Sequence, residues 1–214
     1  MKRIIIFAIA LLTSKIIYAQ GTLYLSNLTQ TSTGSEAAGS DSSLAALFNT
    51  GNSADGYLLD SVQLAMANAT GDPSDFTVMI YSAMFGDAIL PGSNVGTLSG
   101  STDPSTAGIY NYTDASNLIL SPSTDYFIVL TAGATVANGA YEWSHAGAYS
   151  YNQNSGWNTF ANIFHSSNGS SWASSSSIDP QFAIVATPIP EPSSSFLLLL
   201  GSGVFMYVRR TFNR

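Results

Sequence analysis

Between Thr22 and Thr187 no ten-residue stretch carries a capped helical periodicity. Apolar residues come instead in short runs every 10–20 residues, separated by clusters of Gly, Pro, Asn, Asp and Ser. Such spacing belongs to an antiparallel sandwich or barrel, in which each short strand turns back at the next cluster. Residues 57–67 alternate Val62, Leu64 and Met66 against Ser61, Gln63 and Ala65, a half-buried strand. Residues 76–83 place Phe76, Val78 and Ile80 on one face and Met79 and Tyr81 on the other. The run 126–130 is apolar throughout, as in a central strand covered on both faces. Residues 22–28 set Leu23 and Leu25 against Tyr24 and Ser26, and 181–187 close the domain with Phe182, Ile184 and Ala186 facing one way.

Shorter strands are expected at 95–98, 109–113, 141–144, 148–151 and 159–165, residues 118–120 lead into Ser121-Pro122, and 44–48 fits either a strand or one helical turn. Residues 34–43, 69–75, 86–94 and 174–177 read as loops or turns. The expected fold is all-β, an antiparallel β-sandwich of jelly-roll type over residues 20–187.

Charge divides the chain into three parts. All six cations lie near the ends: Lys2, Arg3, Lys15, Arg209, Arg210 and Arg214. Residues 20–188 hold twelve acids and no Lys or Arg, with His145 and His165 as the only groups there that can gain a positive charge. The body therefore forms no Lys or Arg salt bridge and has nothing to neutralise phosphates, which argues against nucleic acid and anionic lipid as ligands. Cysteine is absent, so disulfides, thiol catalysis and Cys-based zinc sites are excluded. Stability must come from apolar burial and backbone hydrogen bonds. About 170 residues suffice for one domain that buries roughly 70 % of its unfolded surface.

The first residues have the grammar of an export signal. Lys2-Arg3, the apolar run 4–12 and the small residue Ala19 predict a secretory signal peptide over 1–19, cleaved before Gln20. The other end, 188–214, carries Pro188-Ile189-Pro190-Glu191-Pro192, three serines, an apolar run over 196–208 and Arg209-Arg210. As a helix at ~1.5 Å per residue the run would span roughly 20 Å, short against a bilayer core of about 30 Å. The arginines would stay cytoplasmic and the body outside. The prolines, lacking N–H groups, would keep the motif extended and readable by a processing enzyme.

Pro190-Glu191-Pro192, the apolar run and the Arg pair together resemble the PEP-CTERM sorting signal of exported bacterial proteins. The resemblance implies recognition by an exosortase, a membrane-embedded transpeptidase-like protein, and removal of the tail after transient contact with the inner membrane. The apolar run departs from the family's usual one in being shorter and interrupted by Gly201, Ser202 and Gly203. A second resemblance lies in the body. Leu90-Pro91-Gly92, Leu98, Tyr110, the run from Leu120-Ser121-Pro122 to Leu130, and Tyr141-Glu142-Trp143 look like the choice-of-anchor R domains. These are extracellular bacterial β-domains without established catalytic residues. Together the two resemblances imply a secreted or envelope-associated, non-enzymatic component of the extracellular polysaccharide matrix.

No G-x-S-x-G elbow occurs, and a Ser–His–acid site would have to be assembled in space around His145 or His165. Glu142 and His145 point to opposite faces of a strand, which argues against a shared metal. Asp72 with Asp75, or Asp55 with Asp60, could supply oxygen to a structural Ca2+, although no EF-hand loop is present; no other cofactor is expected. The remaining candidate is an aromatic group, Tyr141, Trp143, Tyr149, Tyr151, Trp157 and Phe160, interleaved with Asn152, Gln153, Asn154 and Asn158. Exposed, Tyr141, Trp143, Tyr151 and Trp157 would stack on sugar rings and make the domain a carbohydrate-binding module. Buried, Trp143 and some of the tyrosines would be core.

Overall fold

In the computed structural model, residues 21–190 are described apart from 101–102, 115, 148–150 and 177. The expected signal peptide, the tail from Glu191 onwards and most of the expected strand at 148–151 lie outside them. Every element within them is a β-strand, and no described helix is long and apolar enough to cross a membrane. In chain order the strands are β1 (Thr22–Ser26), β2 (Ser32–Ala38), β3 (Ser43–Asn49), β4 (Tyr57–Met66), β5 (Thr70–Gly71), β6 (Thr77–Phe85), β7 (Ile89–Gly100) and β8 (Gly108–Thr113). They continue as β9 (Ile119–Leu120), β10 (Asp125–Thr131), β11 (Gly139–Ala146), β12 (Asn152–Gln153), β13 (Asn158–Ser166), β14 (Ala173–Ser176), β15 (Asp179–Pro180) and β16 (Phe182–Pro188).

All pairings are antiparallel and join the strands into one connected sheet, with main path β12-β1-β16-β4-β8-β7-β6-β10-β3-β13-β14. The two halves of this path meet through β7 and β8, where only Ser99 and Gly100 pair with Thr113 and Tyr112. Both halves feed one core. Val62, Leu64, Trp143, Phe182 and Ile184 come from the β4–β16–β11 side, and Leu44, Phe48, Ile80, Ile128 and Leu130 from the β3–β6–β10 side. The period-two patterns of 57–67, 76–83 and 181–187 therefore mark the faces that the fold buries.

β10 is the central strand its composition predicts. It is flanked by β3 and β6 and buried on both faces. Tyr126, Ile128 and Leu130 enter the main core, while Phe127 and Val129 join Ala45, Leu47 and Phe164 in a second cluster on the outer face. Part of this outer cluster is overlain by Ile89, Leu90 and Trp172. The ambiguous segment 44–48 is strand β3, buried along almost all of its length.

Four expectations need correction. Residues 34–43 are not all loop: 34–38 belong to β2, whose small residues pair with β11, and only 39–42 form a turn before β3. Residues 86–94 are mostly strand as well, since β7 starts at Ile89 and runs through Pro91 opposite Ala83. Proline fits there because this part of β7 has β6 on one side and no ladder partner on the other among the described strands. Most of 174–177 forms β14, which pairs with β13. In β1 the register shifts between Leu23 and Leu25, so Tyr24 and Leu25 are both buried while Leu23 is exposed. A bulge thus replaces simple alternation.

Candidate functional site

The residues expected to present a sugar-stacking face are placed inward. Trp143 is fully buried and its indole N–H donates to the Gln181 carbonyl at 3.0 Å. Trp157, 1 % exposed, stacks on Tyr24 at 4.8 Å and Phe48 at 6.0 Å and meets Tyr57 edge-on at 4.9 Å. Tyr141 is buried against Phe76 at 4.9 Å, and its hydroxyl donates to Asp103 Oδ2 at 2.9 Å. Tyr151 is half-buried, packs on Phe182 at 5.3 Å and donates to the Pro180 carbonyl at 2.7 Å. Tyr141, Trp143 and Trp157 are thus turned into the core and offer no open ring face, while Tyr151 is half-buried at its edge.

The polar partners of that cluster go the other way. Asn152 and Gln153 form β12, an exposed edge strand against β1, and Asn154 and Phe160 are exposed as well. Tyr149 lies outside the described residues. Asn152, Gln153 and Asn154 are consecutive exposed residues on the edge strand and the turn after it, Trp157 lies inward just past that turn, and Asn158 is half-buried.

The acids and histidines are dispersed. Glu142 accepts from the Ser35 hydroxyl at 2.8 Å, while the His145 ring lies 3.4 Å from the Thr33 hydroxyl and against Gly34. Among the described residues no three His, Cys, Asp or Glu come together in a way that could hold a metal. Asp72, Asp75 and Asp55 are exposed, and Asp60 accepts from the Thr187 hydroxyl at 2.8 Å. Burial, then the hydrogen bond and charge of Asp103, push the Tyr141 hydroxyl well above the usual phenol range. Burial, helped by the charge of Asp103, does the same to Tyr112.

Asp179 escaped the sequence reading. It is 3 % exposed in β15, its Oδ1 has no hydrogen-bond partner, and desolvation raises its carboxyl above the ordinary value. The only hint in the sequence is an acid beside a proline at the foot of the apolar strand 182–188.

Of the residues expected to form a sorting motif, Pro190 is described and exposed; Glu191, Pro192, Arg209 and Arg210 lie outside the described residues. The chain reaches Pro190 from β16, a strand held between β1 and β4. Its last backbone bond runs from the Ile189 N–H to the Gly56 carbonyl at 3.0 Å. The Pro190-Glu191-Pro192 stretch thus begins two residues beyond the end of β16. No protein-family model, curated protein or solved structure matches this chain.

Proposed function

We propose that this protein is an exported, non-enzymatic component of an extracellular polysaccharide matrix or cell envelope, sorted through a PEP-CTERM route. Residues 1–19 direct export, residues 20–187 form a β-sandwich of jelly-roll type like the choice-of-anchor R domains, and 188–214 are the address read by an exosortase. The ordered motif Pro190-Glu191-Pro192, apolar run 196–208 and Arg209-Arg210 carries the reading. Two further observations support it. The cations are confined to the two ends, as in a chain whose ends handle membranes and whose body does not. Pro190, the first residue of the motif, is also exposed just beyond the bond between Ile189 and Gly56, where a processing enzyme would meet it.

The test is replacement of Pro190, Glu191 and Pro192 by Ala in the producing cell. Unprocessed, tail-bearing protein should accumulate in the membrane fraction. Release of the triple variant at the normal rate and size would overturn the reading.

A further inference from the structure

Two distant parts of the chain reach the same end of the domain. β16 ends at Pro188 opposite Tyr57, and the Ile189 N–H bonds to Gly56. Gly56 lies against the Leu120 carbonyl and Pro122, and from there the chain enters β10 at Asp125. The next residue, Tyr126, pairs with Ser82 of β6. β6 does not stop at that level: Ala83, Met84 and Phe85 continue, paired with Pro91, Leu90 and Ile89. Met84 and Phe85 therefore overhang the start of β10 by two residues, about 7 Å at ~3.4 Å per residue.

The overhang is apolar. Phe85 is 68 % exposed and Met84 53 %, while Ile119, which pairs with Leu58 at the same end, is 58 % exposed. The hairpin tip bears one charge, Asp87. The tether is short: seven Cα steps separate Ile189 from Phe196, where the apolar tail begins, a reach of at most about 25 Å. With the tail in a bilayer, Ile189, at the end of the domain toward which Met84 and Phe85 project, is held within that distance of lipid.

We propose that the Met84–Phe85 overhang, with Ile119, is a bilayer-contacting foot. It seats apolar side chains in the membrane surface while the tail is inserted, and so holds Pro190-Glu191-Pro192 at the height where a membrane-embedded enzyme works. This rests on the sorting-tail reading above. The contact is to lipid through apolar burial, not to headgroup charge, because residues 20–188 contain no Lys or Arg to attract anionic lipid.

The test uses the full chain, which has no cysteine, with an environment-sensitive fluorophore on Phe85→Cys or on Ser105→Cys. Ser105 is exposed at the other end of β4, where its carbonyl accepts from the Ala69 N–H. The protein is reconstituted into phosphatidylcholine–phosphatidylethanolamine vesicles. The label at 85 should shift to the blue, be quenched by nitroxide lipids and lose its quenching by aqueous iodide, while the label at 105 keeps it. If the protein floats with vesicles but the label at 85 remains iodide-accessible, the foot is overturned and the tail reading stands. If the protein does not float at all, the tail reading fails and takes the foot with it. A concentration-dependent blue shift at 85 without vesicles would assign the tip to a second copy of the chain and overturn lipid contact.

Discussion

Trp157→Ala separates a core tryptophan from a ligand-stacking one more sharply than any other single change. The ring is 1 % exposed and has three aromatic neighbours, Tyr24, Phe48 and Tyr57, at 4.8–6.0 Å. Truncating a buried Trp to Ala costs about 3–5 kcal/mol, and each well-oriented aromatic pair is worth ~0.5–1.5 kcal/mol beyond its area. These terms overlap, so the expected loss is about 4–5 kcal/mol, a large share of the roughly 5–15 kcal/mol that holds a domain together. Trp157→Phe should behave differently. The indole Nε1 has no hydrogen-bond partner, and an unsatisfied buried donor costs about 1–3 kcal/mol. Phenylalanine keeps part of the stacking and removes that donor, so its net cost should be about 2 kcal/mol or less. Equilibrium urea unfolding followed by far-UV circular dichroism measures both. A Trp157→Ala variant with the parent's midpoint would refute the packing argument and free the ring for an external ligand.

Three further outcomes follow from particular side chains. Asp179→Asn should stabilise the protein at neutral pH by about 1–3 kcal/mol, because it removes an ionisable group buried without a partner for Oδ1. Burial raises the folded-state value above the ordinary 3.8, so the native state holds this proton more tightly than the unfolded chain. The favourable contribution is complete below 3.8 and is lost as pH rises through the folded value. Urea midpoints of the parent should therefore fall behind those of Asp179→Asn as pH increases from acid to neutral; parallel pH profiles would contradict this. Gly56→Ala should lower stability by about 1–3 kcal/mol in thermal melts, since Gly56 has φ +83° and its Cβ would meet the Leu120 carbonyl. On alkaline titration followed by phenolate absorbance, the Tyr112 and Tyr141 hydroxyls should lag, staying protonated beyond the usual phenol range. Loss of that lag in Asp103→Asn would identify the acid's share.

The strands legible in the sequence are those whose side chains are sorted by burial. β4, β6, β10 and β16 each carry an alternating or continuous apolar record because a core lies on one or both faces. β2 and β14 left no such record. Ser32–Ala38 and Ala173–Ser176 are strands through backbone pairing with β11 and β13, and small polar residues do not advertise a ladder. β7 was obscured by Pro91, which reads as a breaker until its position on an open edge is known. The aromatic group was legible as a cluster but not in its direction. Tyr141, Trp143 and Trp157 occupy inward positions, and the Asn-rich residues between them face water. Period alone identifies alternate faces without saying which one meets the core. The Met84–Phe85 overhang was hidden for another reason: its exposure depends on how far β6 outruns β10, a register that only the pairing of Tyr126 with Ser82 reveals.

The central claim is that the chain is an exported domain with a removable address at each end, and the intact mass of the mature protein tests it most directly. Protein purified from outside the producing cell should begin at Gln20 and end upstream of Phe196, as an acidic chain free of Lys and Arg. An exported protein whose mass includes Arg214 would contradict the sorting account.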